Sequence, residues 1–350
     1  MTTTELPKPE VTDQAAILLG QAAGYVGHRT VEMGLRLGVV AELARHPDGL
    51  TPDALAEATS LDPFYLGVWC RAAYGAQVLE RGGGAYRLAP HMATLLLDVD
   101  SPAYVGGVFT VLSQPEVFDA FAEKLPTGEH IWWDDTSPEW IAGVSGTGRP
   151  FYTRLIPGGL ARVPGLTDAL DAGARVLETA CGAGVGLARL AATYPACTLV
   201  GMDGDAYSLE LAAERLAEAG LGDRVDRVEL AHSPLEDLDR EAEFDVVVNN
   251  ISMHECRDID QVTANTHRAL KPGGWFVISD FCFPDTADGL RTVPGRVMSG
   301  IQFFEALIDD QLLPVTAYLD LLARHGFTDV ATVGLTPVHA LTFGRRADHA

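Results

Sequence analysis

The chain has 350 residues, 47% of them hydrophobic and 21% charged, with a formal net charge of −23. This composition fits a globular protein, and the length fits two domains with room for a sizeable core. So acidic a surface repels phosphate, which argues against a nucleic-acid or anionic-membrane partner. Five cysteines (Cys70, Cys181, Cys197, Cys256 and Cys282) are scattered, odd in number and never spaced as CxxC. That is the pattern of reduced thiols in a cytoplasmic protein, not of a disulfide framework or a zinc site.

Residues 1–13 are expected to be a disordered N-terminus, the first ten lacking an apolar core and reading as a frayed end rather than a signal peptide. No apolar run reaches the about 18 residues of a membrane span, so no membrane contact is expected. Residues 14–45 carry helical periodicity, interrupted by Gly24, Gly27, Gly34 and Gly38. Thr51-Pro52 predicts a cap and first turn for a short helix over Pro52–Thr59. Asp62-Pro63 repeats the signature for a helix to about Gln77. Val78-Leu79-Glu80 and Tyr86-Arg87-Leu88 flank a glycine turn and predict a hairpin. Two helices followed by a hairpin make residues 14–97 a winged helix. The helix Pro63–Gln77 carries only Arg71 as a base, against the basic stripe a DNA reader needs.

Residues 98–165 form an aromatic-rich helical connector and pocket cover, with Trp132, Trp133, Trp140, Phe151 and Tyr152 among its rings. Most of these rings belong in a core. Adjacent Trp132 and Trp133 cannot face the same way, so one of the two faces a cleft or a second subunit. The glycine-proline pairs around 157–165 mark the start of a third segment, 166–350.

That segment opens with Arg-Val-Leu-Glu-Thr-Ala-Cys-Gly-Ala-Gly-Val-Gly over 175–186. A short strand ends in Glu178, a turn carries Gly182, Gly184 and Gly186, and an alanine-rich helix follows. Such units bring backbone close to a ligand at the carboxyl edge of a parallel sheet. A dinucleotide fingerprint needs a small third residue against the helix, and counting from Gly182 that position is Leu187. The next apolar strand, 198–202, ends in Asp203, where a ribose diol would be held. Further strands are expected over Val225–Leu230, Phe244–Asn250 and the run ending at Asp280, the last introduced by a Lys-Pro-Gly-Gly turn.

The spacing acid-x-Ala-x-Gly-x-Gly, with Asp203 and the Lys-Pro-Gly-Gly turn in order, resembles class I S-adenosylmethionine (SAM)-dependent methyltransferases. The segment 15–97 resembles the dimerisation domain of bacterial and plant small-molecule members. The resemblance implies a Rossmann-like α/β domain of seven strands, its last two antiparallel near Phe327–Val333 and Val338–Phe343. It implies SAM as cofactor and a homodimer whose N-terminal helices intertwine. SAM would contact Glu178, Ala180, Gly182, Gly184, Asp203, Gly204, Ser233, Pro234 and Asn249. Ala180 stands where the family turn has glycine, which is expected to require φ below zero there, and Ser233 stands where the family carries an adenine-contacting acid.

Methyl transfer from a sulfonium needs alignment, water exclusion and, for many acceptors, a base. His254, just past the fourth strand, is the candidate base, at the position of the plant enzymes' His-Asp-Trp motif; only the histidine matches, since Glu255 and Cys256 follow. Its alternative is a loop cap. Glu255 would orient His254 or hold an ammonium, against the plain reading of a solvated carboxylate. Asp280 would hold the acceptor or cap a turn. Trp133, Tyr152, Phe281 and Phe303 would line an apolar acceptor pocket, or simply pack. No metal is expected, because consecutive residues such as His254 and Glu255 seldom converge on one ion. His28, His325 and His339 are expected to be surface or satisfied core histidines. The leading function is methyl transfer to a small apolar or aromatic molecule, with O, N or C acceptors open. Its rivals are a methyltransferase fold turned to a non-methyl reaction and a ligand-responsive winged-helix regulator.

Overall fold

The computed structural model describes residues 10–131, 138–221 and 227–347, and the chain divides into two compact units between Ser113 and Gln114. In the first unit the caps behave as the sequence predicts. Thr51 accepts a hydrogen bond from the Ala54 backbone at the start of helix Pro52–Thr59. Asp62 accepts from Phe64 and Tyr65 at the start of helix Pro63–Gly75. Strands β1 (Leu79–Gly82) and β2 (Ala85–Leu88) follow. Gly83 and Gly84 both have positive φ, the backbone a two-residue hairpin turn demands.

The glycines of the first helix do not interrupt it. Val11–Arg36 is continuous, and only Gly38, at φ 73°, ends the run. Gly34 instead lets the Trp69 ring lie directly on the helix, where Trp69 Nε1 donates to the Thr30 carbonyl at 2.9 Å. Packing decides here, because a continuous buried face outweighs the roughly 1 kcal/mol helix penalty of a glycine.

The second unit is built on seven strands: β3 (Arg175–Thr179), β4 (Thr198–Asp203), β5 (Val228–His232), β6 (Phe244–Asn250), β7 (Leu270–Phe281), β8 (Phe327–Thr336) and β9 (His339–Arg346). Their order is β5-β4-β3-β6-β7-β9-β8, giving the mainly parallel, Rossmann-like sheet expected. Both closing strands pair antiparallel, but β9 alone is reversed, since β8 pairs with β9 and so runs with the rest. β5 is assigned from Val228; residues 225 and 226 of the expected third strand lie outside those described. Lys271–Gly274 is a bulge rather than a free turn: four residues of β7 between Leu270 and Trp275 face the single residue of β6 between Phe244 and Val246.

Alternate residues of the central strands feed two cores. Val176, Val246 and Val277 join Leu187 and Leu190 on one face. Leu177, Val247, Phe276 and Ile278 join Val262 and Leu321 on the other. A strand buried on both faces has to be apolar throughout, which is why these runs read as continuous valine and leucine. β4 lies on one side of β3 and β6 on the other, so the chain reverses direction across the sheet between β3 and β6. A crevice outside the carboxyl ends of strands arises at such a point.

Candidate functional site

The glycine turn after β3 is left-handed at alternate residues: Ala180 has φ 50°, Gly182 50° and Gly184 71°. The expectation of negative φ at Ala180 is therefore wrong. A Cβ at positive φ costs roughly 1 kcal/mol, and Ala180 offsets part of it by packing its methyl against the core on the β7 face. The twist aims the Gly182 amide at β4, where it donates to Asp203 Oδ2 at 2.7 Å. Asp203 Oδ1 accepts from the Asp205 amide at 2.9 Å. Burial nonetheless pushes the Asp203 carboxyl above its ordinary range, with the two amides opposing the shift.

Glu178 is buried at the end of β3, and burial, aided by repulsion from Asp203, pushes its pKa up to about 8. The Tyr152 side chain and the Leu187 backbone amide oppose that rise. Gly186 is obligatory beneath it, because a Cβ there would collide with the Glu178 carboxylate and the Tyr152 ring. Tyr152, expected against the acceptor, thus lies on the Glu178 side. Across the turn, Ser233 donates its amide to the Asp203 carbonyl at 2.9 Å, and a Cβ on Gly204 would stand 3.7 Å from Pro234. Asn249 is buried between Thr179 and Ser252, donating to the former and accepting from the latter at 3.1 and 3.2 Å.

The second cluster lies beyond β6 and β7. His254 is buried, and its Nδ1 stands 2.9 and 3.0 Å from the oxygens of Asp280. Asp280, expected to hold substrate or cap a turn, also accepts from the Tyr318 hydroxyl at 2.8 Å and the Phe281 amide at 2.7 Å. These bonds occupy it as the partner of His254. Phe281 packs 5.6 Å from the His254 ring and 4.9 Å from Phe151. Phe303 faces Phe118 and Phe121 instead, at 5.3 and 4.7 Å. Trp132 and Trp133 lie outside the described residues.

On the other side of the ring, His254 Nε2 is 3.6 Å from Glu305 Oε2 and 3.9 Å from Glu255 Oε1. Consecutive residues do converge here, contrary to the sequence argument against a metal. Burial alone would lower the His254 pKa, but Asp280 and Glu305 outweigh it and hold the ring well above 6.5. Asp310 is pushed up to about 7, by burial first and by Glu305 second. Glu305 and Tyr318 escaped the sequence reading. Tyr318 has no local signal, but Glu305 has one: it continues the Met298, Ile301 stripe of helix Val293–Leu307 as a lone acid on an apolar face. Of the other histidines weighed from sequence, His28 pairs with Ser113 at 2.9 Å and His325 with Asp260 at 2.6 Å, while buried His339 pairs through Nε2 with Ser279 at 2.8 Å and leaves Nδ1 without a partner among the described residues.

Residues 177–276 match the model of a methyltransferase domain, a span from within β3, past the glycine turn and Asp203, into β7. An uncharacterised methyltransferase of Synechocystis is 30% identical over 165 residues, 46% of this chain and 70% of that protein. The chain belongs to the SAM-dependent methyltransferases. The 27-O-demethylrifamycin SV methyltransferase of Amycolatopsis mediterranei is 32% identical over 185 residues, 51% of this chain and 62% of that enzyme. The chain spans about 56–62% of the length of the first curated relatives it matches. An O-methyltransferase family protein of Burkholderia thailandensis shares the fold at TM-score 0.70 and 18% identity, covering 98% of this chain and all of that one. Among the described residues of this methyltransferase no helix is long and apolar enough to cross a membrane.

Proposed function

We propose that the protein transfers a methyl group from SAM to an oxygen of a small apolar or aromatic acceptor, with His254 taking the acceptor's proton. The observation that carries this reading is the pair of sites at one sheet edge: the glycine turn bonded to Asp203, and the buried His254–Asp280 pair. When bound, SAM supplies a methyl already activated by its sulfonium. Glu178 fits the ammonium of the methionine moiety, since a cation beside its buried carboxylate would reverse the pKa rise that burial imposes. Asp203 keeps a lone pair on each oxygen for the ribose hydroxyls, and Gly182, Gly184, Gly204, Ser233, Pro234 and Asn249 complete the cradle.

An acceptor hydroxyl must lose a proton as the methyl arrives, and a positioned base within hydrogen-bond reach speeds this by a hundredfold to ten-thousandfold. Asp280 fixes the ring tautomer and the direction of Nε2, and Glu255 and Glu305 set the charge on the far side. Phe281 and Phe151 supply an apolar wall beside the imidazole. The printed name of the rifamycin relative, an O-methylating enzyme, supports oxygen as the acceptor atom. A homodimer through residues 14–97 belongs to the same proposal, supported by Ile17, Leu18 and Leu19, which are 56–71% exposed on the first helix.

Calorimetry with SAM tests the cofactor pocket, and chromatography for S-adenosylhomocysteine tests transfer, using matched panels of phenols, alcohols, amines and carbon acids. Binding of SAM with turnover confined to the hydroxylated panel is expected. Turnover only of amines or carbon acids overturns the oxygen assignment; absence of SAM binding overturns the whole reading.

A further inference from the structure

Three ligand-type atoms surround one point beside His254. His254 Nε2, Glu255 Oε1 and Glu305 Oε2 stand with Nε2 at 3.9 and 3.6 Å from the two oxygens, and one ligand atom from each residue lies within 4.8 Å of the others. The side chains of His254 and Glu305 are 1% and 6% accessible, and beyond each other at 3.6 Å neither Nε2 nor Oε2 has a hydrogen-bond partner among the described residues. Buried polar atoms so weakly matched are destabilising until a further partner satisfies them.

We propose that His254, Glu255 and Glu305 bind one small divalent transition-metal ion, a site beyond the methyl-transfer reading above. Zinc-type ions bind imidazole nitrogen and carboxylate oxygen at about 2.0–2.2 Å, so tetrahedral ligand atoms lie about 3.4 Å from one another. The two spacings to Nε2, 3.6 and 3.9 Å, exceed this by half an ångström or less, and the carboxylate pair closes from within 4.8 Å. Behind the ring, Asp280 accepts at Nδ1 and Tyr318 donates to Asp280. That chain of carboxylate, imidazole and ion is the outer support found around metal-bound histidines, where it fixes the tautomer and raises the basicity of the ligating nitrogen. One nitrogen with two oxygens suits zinc, manganese, cobalt or ferrous iron, and suits neither the all-oxygen shell of calcium nor a thiolate-seeking ion.

Three elements converge to make the site. His254 and Glu255 come from the loop after β6, Asp280 from the end of β7 and Glu305 from helix Val293–Leu307. An ion here occupies the nitrogen to which the methyl-transfer reading assigns the acceptor's proton. Ion and proton are therefore alternative occupants of a single atom, and loading with metal withdraws the base.

The test uses the full chain, stripped with a chelator and titrated with Zn2+ and Co2+ in the absence of SAM and acceptor. Metal content, calorimetry and the cobalt absorption spectrum are the readouts. One equivalent is expected, with a cobalt spectrum of mixed nitrogen and oxygen ligation. Glu255→Gln and Glu305→Gln should each weaken binding at least tenfold, and Asp280→Asn tenfold to a hundredfold through loss of the outer partner. His325→Gln, which removes the surface His325–Asp260 pair, should leave it unchanged. Glu255 is partly exposed on a loop, so its variant folds even if burial makes Glu305→Gln fragile, and SAM binding checks each fold separately. Sub-stoichiometric uptake by the wild type overturns the site, as does equal uptake by wild type and Glu255→Gln. Either result leaves the SAM assignment standing.

Discussion

His254 and Asp280 form a buried pair, Nδ1 facing both carboxylate oxygens at 2.9 and 3.0 Å. Burial opposes charge on both groups, yet each stabilises the other's ion: the imidazole is held well above 6.5 and the carboxyl below 3.8. Two groups so close titrate as a unit. The histidine's contribution to stability is complete below 6.5 and lost as pH rises through its raised folded value. The aspartate's is complete above about 3.8 and lost as pH falls through its depressed one.

In the metal-free protein, the His254 ring should titrate above 6.5, followed by its imidazole resonances in NMR. Asp280→Asn should bring the midpoint down. A wild-type midpoint at or below 6.5 would contradict the pairing. The corresponding turnover profile should rise with pH through a value above 6.5, higher than an isolated histidine predicts. His254→Ala should lower kcat by roughly a hundredfold or more with SAM affinity intact.

Asp203 both receives the Gly182 amide and faces the expected ribose site. Asp203→Ala removes the diol acceptor and the anchor of the turn, and SAM affinity should fall roughly tenfold to a hundredfold by calorimetry. Unchanged affinity would mean that the ribose is held elsewhere.

Ala180 sits at φ 50°. Ala180→Gly relieves the Cβ strain but frees the unfolded chain, effects of opposite sign and about 1 kcal/mol each, so stability should move by less than about 1 kcal/mol. Ala180→Val has no such relief, because a β-branched residue at positive φ is a severe outlier, and should cost well over 1 kcal/mol in urea unfolding. Equal stability of the valine and glycine variants would show that the left-handed turn does not persist in solution.

His339 is fully buried between β7 and the Phe151 ring, 4.4 Å away, and burial, assisted by Arg154, lowers its pKa to about 3. Between pH 6.5 and 3 the unfolded chain binds a proton that the native state refuses. This contribution is complete above 6.5 and lost on acidification by up to about 1.4 kcal/mol per unit. His339→Gln should flatten the loss between pH 6.5 and 5, measured as the difference in urea unfolding between variant and wild type. Parallel pH dependence of the two proteins would refute it.

The glycine turn and its two acids could be read from one dimension because their arrangement is local. A strand, an acid, a turn of small residues and a helix lie within 175–193, and Asp203 follows at the end of the next strand, so short-range spacing carries the geometry. The caps at Thr51 and Asp62 were equally plain, since a cap and the amides it serves are two or three residues apart. The His254 site was not. Asp280, Glu305 and Tyr318 stand 26, 51 and 64 residues further along the chain, as their numbers show, and reach it only because β6 pairs with β7 and the later helices pack against that edge. The sign of φ at Ala180 was likewise a tertiary decision. The propensity of alanine argued for negative φ, but the bond from Gly182 to Asp203 on the neighbouring strand required the opposite twist.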